Sequence, residues 1–422
     1  MFILNAENRS LFVNASFLAL MQAANMFLPL LTVPFLVRVL GIELFGQLAF
    51  VTAFMYYFVV LSDYGFNLTA TRDISVNRHD IEEVSRIYSQ VTVIKLALLI
   101  LSFLLMLAIV FFVPTFFEHW PLYLASFMVV ICQALFPTWF FQGMEAMKYI
   151  TYLSVFAKVF LTLGIFIFVS SPEDYLLVPL LTAIGSLLSV FFALYMIHIR
   201  YAVSFIKPTA AGIWQSLLDG WYVFLSQMKI TLFSSTNVVI LGAIVGPVAV
   251  GYYVAAEKIM RALALAQTPI TSALFPLIAM KMCDDRLASM KKLKKVAYVG
   301  SALYLCVLGA VYLLSDTMIN LLYGDGMQAS AWVLKVMLII PLLIFLNNIF
   351  GTQILLNTGR QKQFFYVLLF AAILSLCLCL ALTFLYSYQG TAIALLLTEV
   401  FIVMAFFLLV KKELFFIDKV PS

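Results

Sequence analysis

Long apolar runs separated by short polar breaks dominate the chain. A helix that crosses a bilayer needs about 20 mostly apolar residues. Twelve stretches qualify: 11–37, 45–68, 94–117, 122–144, 150–169, 175–197, 221–245, 248–280, 296–315, 331–356, 364–386 and 390–410. Several of them, 175–197, 296–315 and 364–386 among them, contain no charge at all. The eighth is longer and holds Pro269 and Pro276, which predicts a tilted or broken helix. Pro29 and Pro34 remove backbone donors inside the first run and predict a kink there. Between the second and third runs, Ile74, Ile81, Val84 and Ile87 are spaced among charges over 71–90, a pattern that predicts an amphipathic helix lying on the membrane surface.

The polar breaks alternate in charge. Those after the second, fourth, sixth, eighth and tenth runs carry Lys and Arg throughout, among them Arg72, Arg78, Arg200, Lys291, Lys292, Lys295 and Arg360. Those after the third, fifth, seventh, ninth and eleventh carry none, and Arg38 stands alone at the edge of the first. Basic residues mark cytoplasmic loops, so both termini are expected in the cytoplasm. The outer breaks are too short for a catalytic domain; the longest is 316–330.

Composition agrees. Hydrophobic residues make up 64% of the 422 and charged residues 11%, with 40 Phe; a soluble domain has about 45–50% and 25%. The expectation is an all-α polytopic membrane protein. The net charge of +5 reflects the basic cytoplasmic loops and gives no reason to expect nucleic acid as a partner. Five cysteines (Cys132, Cys283, Cys306, Cys377, Cys379) fit neither a disulfide framework nor a zinc site. The first apolar run has no small-residue cleavage site after a short core, so it reads as a retained helix rather than a signal peptide.

The midpoint falls in a polar connector, 200–220, with Pro208 and Gly212. Dividing there gives an N-terminal lobe of residues 1–206 and a C-terminal lobe of residues 207–422, with six helices each. Leu40-Gly41-Ile-Glu-Leu-Phe-Gly46 matches Val245-Gly246-Pro-Val-Ala-Val-Gly251, each between the first two helices of its half. An even number of spans per half makes the repeats parallel, related by a pseudo-two-fold axis along the membrane normal. Transporters built this way bind substrate between their halves.

Several motifs carry a resemblance. The run Pro29-Leu-Leu-Thr-Val-Pro34-Phe-Leu-Val-Arg38-Val-Leu-Gly41, then Asp63-Tyr-Gly65-Phe-Asn67 with Ala70-Thr-Arg72-Asp73, Phe140-Phe-Gln142-Gly143-Met-Glu145, and Tyr252-Tyr-Val-Ala-Ala256-Glu257-Lys258 together resemble polysaccharide flippases of the Wzx type. The resemblance covers nearly the whole chain. It implies the fold of the multidrug/oligosaccharidyl-lipid/polysaccharide exporter superfamily, and a flippase, not an enzyme. The implied substrate is an undecaprenyl-diphosphate-linked oligosaccharide repeat unit, moved from the cytoplasmic to the periplasmic leaflet of a bacterial inner membrane. Membrane lipids surround such a protein, and a polysaccharide polymerase and a chain-length regulator are candidate partners. Peptidoglycan-precursor flippases of the superfamily have fourteen spans, and twelve argue against that branch.

Ionisable residues within spans cost several kcal/mol and usually face a wet cavity or a partner. The set is Asp63, Lys158, Lys229, Glu257, Lys258, Arg261, Lys335 and Glu399, with bases outnumbering acids. Excess positive charge suits an anionic lipid diphosphate. Lys258 and Arg261 lie three apart on one helix face. In the resembling fold, spans 1, 2, 7 and 8 line the substrate cleft. Lys229, Lys258 and Arg261 are therefore the leading candidates for the diphosphate, with Lys158, Arg38 near the outer edge and Arg72 at the cytoplasmic mouth. A Glu257–Arg261 ion pair at i, i+4 is the plainer alternative, and Lys335 reads as snorkelling. Gln22, Asn25 and Asn237 are candidate sugar contacts. There is no phosphate-binding loop for ATP, and His79, His119 and His198 lie in loops or at helix ends. No cofactor is expected. Should transport be coupled to a proton or sodium gradient, Asp63, Glu257 and Glu399 are the candidate carriers. A cation-coupled multidrug antiporter of the same fold would favour an acidic cavity, and a membrane-embedded polymerase or glycosyltransferase would need outer-side carboxylates on a sizeable loop. These two readings remain open beside the flippase.

Overall fold

The structure, a computed structural model, describes residues 6–284 and 286–416. Among them the regular structure is entirely helical. The first part runs α1 (Ala6–Asp63), α2 (Phe66–Asn77), α3 (Ile81–Phe112), α4 (Pro114–Phe117), α5 (Trp120–Leu135), α6 (Thr138–Gly143), α7 (Met147–Phe168) and α8 (Leu177–Arg200). The second runs α9 (Ala210–Ile244), α10 (Pro247–Leu265), α11 (Thr268–Asp284), α12 (Arg286–Tyr323), α13 (Gln328–Met337), α14 (Ile340–Asn347), a π-helical turn (Asn348–Leu356) and α15 (Gln361–Phe416).

Eight segments are long and apolar enough to cross a membrane. Two of them each hold two helices joined at a break: α1 at Gly41 (φ 80°, ψ 168°) and α15 at Ser387 (φ 56°, ψ −140°). With α9 and α10 the described residues give twelve transmembrane helices, as the apolar pattern predicts. The break between α9 and α10 falls at Gly246 (φ 112°, ψ 179°). Gly41 and Gly246 thus share a backbone conformation that a side chain resists. The repeated Gly-containing motif makes the same turn twice. Pro29 and Pro34, by contrast, sit inside α1 without leaving helical dihedrals, so the expected kink is not marked by a break at either residue. The eighth run is broken as its prolines predict. α10 stops at Leu265, and Pro269 falls in the first turn of α11, where its missing N–H costs nothing.

The segment 71–90 corrects an expectation. No single surface helix forms there. α2 ends at Asn77, and Asp80 caps α3 by accepting from the backbone N–H groups of Glu82 and Glu83. Ile74 and Val84 are fully buried, packed with Tyr88, Trp139, Phe140 and Ile197. Their spacing among charges reflects a protein core, not a lipid-facing stripe.

The chain divides into two compact units, 1–235 and 236–422. The connector after α8 belongs to the first unit for a local reason. Ser85 and Ser89 of α3 accept hydrogen bonds from the backbone N–H groups of Ser204 (3.2 Å) and Ile206 (2.9 Å). The start of α9 then packs on the turn between α1 and α2. The Tyr64 ring stacks on Phe224 at 5.0 Å, and a Cβ on Gly65 would come within 2.7 Å of Val223. Large apolar side chains such as Phe112, Ile167, Leu313 and Phe384 remain exposed along the spans, as expected of a surface solvated by lipid.

Candidate functional site

Within the first unit, α1, α5, α7 and α8 enclose a polar cavity of about 440 Å³. Asp63, Asn67, Gln133, Ser154, Lys158 and Thr182 line it. A second cavity of about 210 Å³ shares Tyr56, Val59, Gln133 and Thr182 with the first, so polar lining continues along the inside of this unit. Lys158 donates to the Asn25 side-chain carbonyl. Asp63 accepts from Lys95 at 3.0 Å, and Lys95 is 4% exposed. The hydroxyls of Ser62, the neighbour of Asp63, and Ser102 meet at 3.1 Å. The side-chain carbonyl of Asn67 is buried and has no partner among the described residues, so it is an acceptor available to a water or a guest hydroxyl.

Within the second unit, α10 carries Glu257, Lys258 and Arg261. Glu257 is buried and accepts from Arg261 at 2.8 Å. The plainer i, i+4 ion pair therefore forms. Arg261 nevertheless keeps 48% of its side chain exposed, and a guanidinium has five N–H donors, so the pair does not consume its capacity to bind an anion. Lys258 is half-buried on the same helix. Glu399 of α15 is buried and accepts from the Asn347 amide at 2.6 Å. Asn347 closes α14 at the edge of the π-helical turn, where Gln353 donates to the Thr271 carbonyl at 2.9 Å. Turns of this type occur often at functional positions.

The sequence-selected residues therefore fall into separate local groups. Asp63 and Lys158 share one cavity. Glu257 and Arg261 pair with each other beside Lys258. Glu399 is matched by a neutral amide, not by a cation, among the described residues. Arg72 pairs with its neighbour Asp73 at 2.9 Å and is exposed. Arg38 is exposed on α1, one turn before the Gly41 break. Lys335 bonds Asp316 at 2.6 Å near the Tyr312 ring, at the edge of its span. Lys229 lies in α9, but its side chain is outside the described residues. Sequence reasoning missed Lys95, which is not among the charges singled out within the spans. A signal was present: Val84, Tyr88, Val91, Lys95, Leu99, Ser102 and Met106 recur at intervals of three and four, and all are buried.

Comparisons with known proteins give the family and the fold. The family described as "Polysaccharide biosynthesis protein" matches residues 11–282. A protein of Escherichia coli (strain K12) named "Putative O-antigen transporter" is 32% identical over 400 residues, 94% of this chain and 95% of that protein. The chain belongs to the polysaccharide biosynthesis protein family. A second member of the same name, from Shigella dysenteriae, is 27% identical over 391 residues, 93% of this chain and 98% of its own. Two solved structures share the fold. An inward-facing multidrug resistance MATE family transporter of the MOP superfamily superposes with TM-score 0.72 at 12% identity, covering 96% of this chain and 99% of that one. The lipid II flippase MurJ in an inward closed conformation gives 0.70 at 16%, covering 93% and 87%. The resemblance read from the motifs holds, and both of these relatives carry the name of a transporter, not of an enzyme.

Proposed function

We propose that this protein is a flippase that moves an undecaprenyl-diphosphate-linked oligosaccharide repeat unit from the cytoplasmic to the periplasmic leaflet of a bacterial inner membrane. The observation that carries this reading is near full-length kinship with proteins named as O-antigen transporters. The excess of buried or half-buried cations over acids supports an anionic cargo. In this reading both termini are cytoplasmic, and the lobes 1–206 and 207–422 rock in alternating access while the lipid tail stays in the bilayer. Lys258 and the exposed part of Arg261 hold the diphosphate, with Lys229 and Lys158 contributing. Arg72 and Arg38 greet and release the head group at the two mouths. Polar side chains such as Asn67 and Gln133 meet sugar hydroxyls.

Coupling to a proton or sodium gradient is assigned to Glu399. Asp63 and Glu257 each have a cation at 3.0 and 2.8 Å, whereas Glu399 has the neutral Asn347 amide. It can therefore gain and lose a charge partner without breaking an ion pair.

The test is deletion of the gene in its host, followed by analysis of membrane lipids and surface polysaccharide. The reading predicts loss of long surface polysaccharide with accumulation of complete, unpolymerised lipid-linked repeat units. An unchanged polysaccharide with new sensitivity to cationic drugs would overturn it in favour of an antiporter.

A further inference from the structure

A further cavity, of about 560 Å³, lies within the C-terminal unit between α12 on one side and α10 and α11 on the other. It takes a single face of α12. Lys292, Lys295, Val299, Leu303 and Val307 line it at intervals of about one helical turn, with Val296 beside them. Along the axis they span about 22 Å at 1.5 Å per residue, roughly two-thirds of the ~30 Å hydrocarbon thickness. The opposite wall holds Leu263, Gln267 and Ile270. Val299, Leu303 and Ile270 are 61%, 64% and 63% exposed, so the groove is open along its length. Both lysines are exposed at one end, within the basic segment after the eighth span.

The charge at its head makes this more than a lipid-facing seam. Two ammonium groups three residues apart face the same side of α12, and charge-assisted bonds to phosphate are among the strong ones. One apolar groove headed by two cations matches a lipid with one chain and two linked phosphates. A phospholipid has two chains and a single phosphate, and fits less well.

We propose that this groove is the loading site for the lipid anchor of the substrate, a single-chain polyprenyl diphosphate. Its diphosphate sits on Lys292 and Lys295, and its chain lies along Val299, Leu303 and Val307. The proposal rests on the flippase reading above and deepens it.

The test uses full-length protein in nanodiscs of phosphatidylethanolamine and phosphatidylglycerol, with undecaprenyl diphosphate lacking any glycan as the probe and native mass spectrometry as the readout. Lys292→Gln with Lys295→Gln should weaken retention of the probe at least tenfold while phosphatidylglycerol retention stays unchanged. Leu303→Trp, a substitution at an exposed position that fills the groove, should do the same without altering charge. Retention equal to wild type in both variants would overturn the proposal. A parallel loss of phosphatidylglycerol in the lysine variant would overturn the choice of occupant and make the groove an acidic-phospholipid site. Complementation of the deletion strain separates this from the underlying reading. If wild type restores surface polysaccharide and both variants restore it equally, the groove assignment fails alone. If wild type does not restore it, the flippase reading fails.

Discussion

The ion pair between Asp63 and Lys95 decides whether Asp63 is structural or moves an ion, and it can be tested by a double-mutant cycle. The pair closes at 3.0 Å, with side-chain exposures of 18% and 4%. At an effective dielectric constant of ~20 two unit charges at that distance attract by about 5–6 kcal/mol. Desolvation of two ions cancels most of this, so the intact pair adds little net stability. Removal of one partner is different, because the other charge is left inside the span, and that costs about 3–5 kcal/mol. Asp63→Asn and Lys95→Met should therefore each cut folded yield and apparent Tm sharply. The double variant should recover at least ~2 kcal/mol of the summed loss, because it strands neither charge. Purified variants in one detergent, with unfolding followed by intrinsic fluorescence, give the coupling energy. Export measured in a deletion strain should follow the folded yield, returning in the double variant. Additive losses within about 0.5 kcal/mol would refute the pairing energetics. A stable double variant with no export would show that Asp63 itself serves transport.

Other expectations follow from single positions. Neutralising Lys258 and Arg261 together, as Gln, should reduce export at least tenfold at normal membrane abundance; retention of Glu257 without Arg261 will also lower Tm, so Glu257→Gln is added to separate the two effects. Glu399→Gln keeps the contact with Asn347, and should leave folded yield within ~1 kcal/mol while abolishing the dependence of export on an ion gradient. Unchanged gradient dependence would reject Glu399 as the coupling group. Ser387 holds a positive φ in the break within α15, so Ser387→Gly should stabilise the fold by about 1–3 kcal/mol, read as a rise in Tm. Close by, a Cβ on Gly390 would fall 1.8 Å from the Leu382 carbonyl oxygen, so Gly390→Ala should sharply lower the yield of folded protein.

Much of the architecture was legible from hydropathy because charged residues are so scarce within the spans. Twelve passes, the break before Pro269 and the paired glycine turns at Gly41 and Gly246 all depend on local chemistry, and all appear in the structure. What hydropathy does not carry is the identity of an apolar residue's neighbour. Ile74 and Val84 carry the same pattern whether they face lipid or Trp139, and only packing distinguishes the two. The site was legible in part. Glu257–Arg261 follows from helical spacing. Asp63–Lys95 joins residues on different spans, and Glu399–Asn347 likewise, so sequence spacing gives no access to either. Lys95 is not among the charges singled out within the spans, although its place in a buried three-and-four stripe points inward. The lysines of α12 read as simple topology signals in the sequence, and only the structure sets them at the head of an apolar groove.

The most direct measurement of the central claim is translocation by the purified protein. Proteoliposomes carrying a lipid-linked repeat unit in both leaflets are treated with a membrane-impermeant oxidant of vicinal diols. Without protein, only the outer-leaflet half reacts. With wild-type protein and an ion gradient, the account predicts that nearly all of the lipid-linked glycan becomes reactive within minutes, and that the Lys258/Arg261 double variant leaves it at the protein-free level. Reaction that stops at half with folded wild-type protein, under proton and sodium gradients alike, would contradict the account.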